Sequence, residues 1–413
     1  MPLSMRPLRR WHAALLLTAL IGGGGVVSSC SSRDAVAEGP INLQVGAPVG
    51  AVLALSGNAN VYGQHQRVGL NLALAAFNSS GGINGTPLQL SIEDSGSDDP
   101  GANAAMTLQI NRGMLAIIGP TLSQQAFAAD PIAQRRGVPV VAPSNTATGI
   151  PQLGHFISRV SAQSSVIAPL SIAKALRLNP GIKRAAVFFA QDDVYSTAET
   201  TVFQKALREQ GLTPVTVQRT NLADTDFQSQ ISATLALKPD LIVLSLQGVD
   251  GGNLVRQLRE LGYKGTIVVG NGMNTPNIYP ICQKYCDGLL IAQAYSPELA
   301  TPANLAFIKA FTANQSRSGK GALIPPQLTA QAYTALQVVA EALQRLDRRT
   351  PLKGLSVAAA RKALMEEILG GTYQTPLGEI RFTPEGEVIQ KDFFVAQVRM
   401  NPGGRSGRFA LLP

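Results

Sequence analysis

Apolar residues in this chain recur with two alternating periods. Leu88, Leu90 and Ile92 fall on every second position, the spacing of a strand with one buried face. Just before them, Val68, Leu72 and Ala75 to Phe77 return at helical spacing and stop at Gly81-Gly82, where glycine suits a helix end. The unit repeats as "LAIIG" and a helix to Arg136, "VPVVAP" and a loop, "AAVFFA" and a helix to Gln210, "DLIVLSL" and a helix to Leu261, then "GTIVVG" and "GLLIAQAY". Apolar strands separated by helices predict an α/β fold of mostly parallel sheets with helices on both faces. Such sheets bind ligands beyond the carboxyl ends of their strands.

The chain has 413 residues, more than the roughly 250–300 that one core supports, so two domains are expected. The units fall into two blocks, Ile41 to about Ala162 and Gln163 to about Tyr295, joined through "ISRVSAQSS". The helix-rich stretch from Pro302 to Gly370 has no clear strand and needs a sheet to cover. "GEIRF" and "KDFFVAQV" alternate as two late strands. The Gly- and Arg-rich tail from Asn401 is expected to be loose. No repeat of solenoid period and no low-complexity block stands out.

At the N-terminus, Arg9 and Arg10 precede an apolar run from Trp11 to Ile21, then Gly22 to Gly25 and "VVSSC". The pattern predicts an export signal over residues 1–29, too short to span a membrane as a mature helix. Ser28 and Ser29 before Cys30 resemble the lipobox of bacterial lipoproteins, with Val27 where Leu is commoner. That resemblance implies acylation of Cys30, a linker over residues 30–40, and a lipid-held position in the periplasm or at the cell surface. Cys282 and Cys286 then remain in an oxidising compartment, and their spacing predicts a local disulfide. Zinc is the competing reading, but "CQKYC" has no nearby His and no second Cys pair.

The formal charge is +9, and without Arg6, Arg9 and Arg10 it falls to +6. The excess is spread along the chain, with a modest cluster at Arg345, Arg348, Arg349 and Lys353. Aromatics make up 5%, so the clustered basic and aromatic pattern of a nucleic-acid partner is missing. Catalytic signals are also missing: His12 leaves with the signal, His65 and His155 are far apart, and neither G-x-S-x-G nor a phosphate loop occurs. "GNGMNT" lacks the third glycine of a dinucleotide site. An enzyme using Asp192, Asp193 and Asp250 as acid and base is conceivable on carboxylates alone, but no motif supports it. We expect no enzyme activity, no cofactor and no metal. The acidic run "EDSGSDD" reads as a solvated loop that caps a helix at Pro100, since the calcium-loop pattern is incomplete.

"AIIGPTLSQQA" raises a different chemistry. A helix starting near Ser123 presents unpaired backbone N–H groups and a partial positive end, suited to a carboxylate. Thr121 and Ser123 hydroxyls could add donors. A second strand end, "VVAPSNTATG", offers Ser144, Asn145 and Thr146 in a similar place. Either these residues hold a solute or they cap their own backbone; composition leaves both open.

These residues also carry a family resemblance. "GNANVYGQHQRVGLNLALAAFNSSGGINGTPLQL", with Y-G, then G-x-x-L-A, then N-x-x-G-G-I-N-G, resembles the N-terminal signature of type I periplasmic binding proteins, the branched-chain amino acid and amide receptors of ABC transporters. "AIIGPTLSQQAFAADPIAQRRGVPVVAPSNTAT" continues it, and the resemblance runs from about Leu43 to Val398. It implies a two-lobed clam with three hinge crossovers. Lobe one would comprise residues 41–162 and 297–370, lobe two 163–296 and 371–400, and 401–413 would be a flexible tail. It implies a monomer that hands a small, amino acid-like solute to a membrane permease. The solute's carboxylate would sit at Ser123 and its amine at Ser144 and Thr146. Tyr62 would lie beside it, and Tyr195 would cover it from the second lobe; the bland reading of Tyr195 is packing at a helix start. Asn271 stands where an acidic residue usually neutralises the amine, and Gln247 replaces a common aromatic. A buried ammonium without a carboxylate is costly. Either Asp250 or Asp192 supplies the charge, or the solute is not a standard α-amino acid. A rival reading keeps the fold and makes the chain a lipoprotein regulator of a periplasmic enzyme or sensor, without transport.

Overall fold

A computed structural model describes residues 39–41, 43, 46–319 and 323–413. The expected export signal, the lipobox and Cys30 lie outside the described residues. The first sheet comprises β1 (Ala47–Leu53), β2 (Leu88–Asp94), β3 (Ile117–Ile118), β4 (Val140–Ala142) and β5 (Ile157–Arg159). It is wholly parallel, in the order β2-β1-β3-β4-β5. The period-2 rule is visible along β1: Val49, Ala51 and Leu53 enter one core, and Val52 enters the core on the opposite face. The second sheet holds β6 (Ala185–Ala190), β7 (Thr216–Thr220), β8 (Leu241–Ser245), β9 (Thr266–Val269) and β10 (Leu290–Gln293), again parallel. Along β8, Ile242 and Leu244 face one core while Leu241 and Val243 face the other. Apolar side chains on both faces explain why "DLIVLSL" does not alternate in polarity.

Helices cover these faces. On the first sheet, α1 (Asn60–Ser79) packs on one face, and α2 (Asp99–Asn111) and α3 (Ser123–Arg135) pack on the other. On the second sheet, α4 (Ser164–Leu178) and α5 (Val194–Glu209) lie opposite α6 (Gln228–Ala236), α7 (Gly248–Glu260) and the short α8 (Tyr279–Cys282). The chain then returns to the first core through α9 (Pro302–Arg317), α10 (Gln327–Arg349) and α11 (Val357–Gly370). Two glycines of the N-terminal signature have a steric reason. A Cβ on Gly63 would collide with the Ala54 carbonyl at the end of β1, and one on Gly69 with the Thr329 carbonyl of α10. Cys282 and Cys286 are joined by a disulfide and buried in the second core.

Two expectations are corrected. The stretch from residue 371 does not belong as a whole to the second lobe. β11 (Tyr373–Thr375), β12 (Gly378–Phe382) and β13 (Val388–Gln390) form a separate antiparallel sheet whose Tyr373, Ile380 and Phe382 enter the first core. β14 (Phe394–Met400) then joins the second sheet, antiparallel to β10. The alternation in "GEIRF" marks a strand with one buried face but not which core that face meets. Nor is the tail loose: β15 (Gly407–Leu411) folds back along β14, with Val398 opposite Phe409. The glycines and arginines that suggested mobility form the turn, closed by Gly404 N–H on Asn401 O and Asn401 N–H on Ser406 O. The chain passes between the two main cores three times, after β5, after β10 and after β13.

Candidate functional site

The turns that follow the carboxyl ends of the strands converge on one cleft between the lobes. It encloses about 430 Å³ of space between the atoms, part of it open to solvent. Tyr62, Thr121, Ser123, Ser144, Thr146, Tyr195, Gln247 and Asn271 all line it. Asn145 does not; its side chain is buried beneath the turn and donates to the Thr121 carbonyl at 3.1 Å. Leu122, Gly272, Asn274, Gln327 and Leu328 complete the wall and were not singled out in the sequence.

On the first lobe, most of the expected hydroxyl donors are already engaged. Thr121 Oγ1 donates to Gln66 Oε1 at 2.6 Å and accepts the Ala54 N–H at 3.0 Å. Ser144 Oγ donates to the Thr121 carbonyl at 2.6 Å and accepts from Gln66 Nε2 at 2.7 Å. These bonds stitch the two turns together. Ser123 Oγ accepts the N–H groups of Thr146 and Ala147, both at 3.3 Å, which leaves its proton uncommitted. The first N–H groups of α3 have no partner within the helix. Thr146 Oγ1 is buried in the wall with no hydrogen-bond partner.

Arg159, fully buried at the end of β5, fixes that turn. Its Nη1 donates to the carbonyls of Asn145 and Ala147 at 3.1 and 2.6 Å. The other edge of the guanidinium makes a two-pronged pair with Glu387, at 2.8 and 2.7 Å. An interior Arg in "HFISRV" was a readable signal, since an unpaired charge is seldom buried.

The second lobe is built around a buried carboxylate that sequence reasoning missed. Glu199 Oε2 accepts from Tyr195 Oη at 2.5 Å, and Oε1 accepts the Asn271 N–H at 3.0 Å. Tyr195 Oη also accepts the Gly272 N–H at 2.6 Å. Gly270 makes the room, since a Cβ there would collide with Glu199. Burial pushes the Glu199 carboxyl up to about 7, against the pull of the Tyr195 and Asn271 hydrogen bonds. Burial, and then the neighbouring Glu199, hold the Tyr195 hydroxyl well above its ordinary range, so it stays neutral. Tyr195 and Glu199 are four apart on one helix face, a spacing that could have flagged the pair. Asn274 accepts from Gln293 Nε2 at 2.7 Å, while its own Nδ2 is buried in the wall without a partner.

Tyr62 joins the lobes: its Oη donates to Gly272 O at 2.8 Å and accepts the Gly248 N–H at 2.7 Å. Gln327 at the start of α10 donates to Asn271 Oδ1 at 2.9 Å, tying the returning helix to the second-lobe turn. Among the described residues, no charged side chain lines the cleft. Asp250 and Asp192, expected as possible amine partners, are absent from this wall and line an adjoining chamber instead. Gln247 is a wall that both spaces share, and its Nε2 donates to Asp193 at 3.0 Å.

The chain is 27% identical over 345 residues to the leucine-, isoleucine-, valine-, threonine- and alanine-binding protein of Pseudomonas aeruginosa, covering 83% of this chain and 87% of the relative. A crystal structure of a leucine-binding protein from Thermotoga maritima superposes with a TM-score of 0.76 at 26% identity, covering 89% of this chain and 98% of that one. A solute-binding protein of an ABC transporter from R. palustris, in complex with benzoate, shares the fold with a TM-score of 0.75 at 21% identity, covering 89% and 96%. These relatives are solute-binding proteins, not enzymes, of a kind that works outside the cytoplasm. Residues 47–405 match the family model, and the chain belongs to the periplasmic binding protein family.

Proposed function

We propose that this protein captures a small carboxylate-bearing solute between its lobes and delivers it to the permease of an ABC transporter. Export by residues 1–29 and a lipid at Cys30 would hold it at the membrane surface. The observation that carries the reading is a pair of buried, unpartnered polar atoms, Thr146 Oγ1 and Asn274 Nδ2, on residues that line one cleft from opposite lobes. Leaving such a group unpaired costs about 1–3 kcal/mol, and a solute that reaches both recovers that cost only when the lobes are together. Differential affinity of this kind is what drives closure.

The solute's carboxylate would meet the first N–H groups of α3 and the Ser123 hydroxyl, a contact contributing about 1.5–3 kcal/mol. Its apolar part would lie against Leu122, Leu328 and the rings of Tyr62 and Tyr195. Amino acids and aromatic acids both fit that description, in line with the ligands named for the relatives. Thermal unfolding in the presence of L-leucine, L-threonine, benzoate and 4-hydroxybenzoate tests it. At least one should raise the melting temperature by mass action, and Ser123→Ala with Thr146→Ala should abolish the rise. A flat screen across amino acids, amides and aromatic acids would favour the regulator without transport.

A further inference from the structure

A second chamber adjoins the cleft and shares Tyr62, Leu122 and Gln247 with it as a common wall. It measures about 1290 Å³, part of it open to solvent. Its electrostatics are the opposite of the molecule's. The chain carries +9 overall, yet Asp98 and Asp99 from the first lobe and Asp192, Asp193 and Asp250 from the second line this one space, with no Lys, Arg or His among the lining residues.

Most of these carboxylates have partial employment. Asp98 caps α2 through the Gly101 N–H at 2.7 Å, Asp192 accepts the Leu222 N–H at 2.9 Å, and Asp193 accepts from Gln247 Nε2. Asp250 also has backbone N–H groups beside its carboxyl, its own and that of Gly251, but it is 2% exposed, lines the chamber, and its Oδ2 has no partner. Asp99 Oδ1 is likewise buried and unpartnered, on the facing lobe. Burial is the largest influence on Asp250 and Asp193, pushing them up to about 8 and about 6, and the chamber wall supplies neither with a cation.

Among the described residues, no three acidic, His or Cys side chains come together closely enough to hold a metal ion. An occupant must therefore reach carboxylates that stand apart, which favours several N–H donors spread over an organic cation. A cleft walled by one sign of charge also concentrates counterions at its mouth. We propose that this chamber is a subsite for an ammonium or guanidinium group, carried at the far end of the solute whose carboxylate occupies the inner cleft. The subsite rests on the reading of the inner cleft as a solute site and adds a second, cationic requirement to it.

The test is titration calorimetry of wild type and Asp250→Asn with three probes: L-leucine, L-arginine, and agmatine, which has a guanidinium but no carboxylate. Asp193→Asn serves as a second variant should Asp250→Asn fail to fold, and melting curves check both. The expected result is that a variant loses about tenfold or more in affinity for arginine, while leucine binding is unchanged. Loss for arginine alone assigns the cation to the solute. Wild type that takes up agmatine as tightly as arginine would make the chamber a cation site separate from the solute and overturn its link to the inner cleft. The proposal is overturned if both variants take up arginine and agmatine as tightly as wild type, or if wild type takes up neither at millimolar concentration. Leucine or benzoate binding that survives that second result leaves the solute-receptor reading standing, whereas loss of every carboxylate solute removes both.

Discussion

At the scale of single residues, the site divides into groups that bind each other and groups that do not. Thr121, Ser144 and Gln66 spend their hydrogen bonds, and Asn145 its Nδ2, on holding two turns together, while Thr146 Oγ1 in the cleft wall and Asn145 Oδ1 keep no partner. Arg159 shows how much that arrangement depends on one side chain. Arg159→Met would leave the Ala147 carbonyl and the Glu387 carboxylate without this donor, and the Asn145 carbonyl with Ser161 Oγ as its remaining donor. Removing one partner of a buried pair costs about 3–5 kcal/mol. Glu387 is 20% exposed and water can partly replace its partner, so we expect a loss of about 3 kcal/mol in denaturant unfolding. Solute affinity should fall with it, because the Thr146 turn loses its anchor. Equal stability of variant and wild type would show that the turn holds itself.

At the scale of elements, the sequence was readable where local pattern decides the structure. Period 2 in "LQLSIED", near-continuous apolar runs in "AAVFFA" and "DLIVLSL", and glycine stops located the parallel strands and their helices. The break at Gly119-Pro120 followed by Ser123 located the start of α3, because a helix needs a first turn whatever it later packs against. Pairing over long distance was not readable. β15 lies in a Gly- and Arg-rich stretch whose register with β14 depends on a turn at Gly403-Gly404, and β12 shows its alternation without showing which core it faces. The site follows the same division. Thr121, Ser123, Ser144 and Thr146 follow directly on strands, where position alone nominates them, whereas Tyr62, Tyr195, Gln247 and Asn271 were nominated by the family resemblance. Gln327 and Leu328 arrive on a helix that returns from elsewhere in the chain, and Glu199 acts from behind the wall, so neither turn chemistry nor composition pointed to them.

At the scale of the whole molecule, the buried acids of the second lobe give a pH signature. Asp193, Glu199 and Asp250 are raised from 3.8, 4.5 and 3.8 to about 6, about 7 and about 8, in each case chiefly by burial. Between about pH 4 and pH 8 the folded chain therefore holds protons that the unfolded chain has released, so stability falls as pH rises through that window. The melting temperature of the solute-free protein should be lower at pH 8 than at pH 5; a flat or rising profile would mean these groups are better solvated than their burial implies. The central claim is that one solute spans both lobes through Thr146 and Asn274. Its most direct test is the calorimetric affinity of wild type, Thr146→Val and Asn274→Ala for whichever of L-leucine or benzoate stabilises the protein. The account predicts that each substitution alone weakens binding about tenfold or more, one from each side of the cleft. Undiminished affinity in either variant would contradict it, since the solute would then be held by one lobe only.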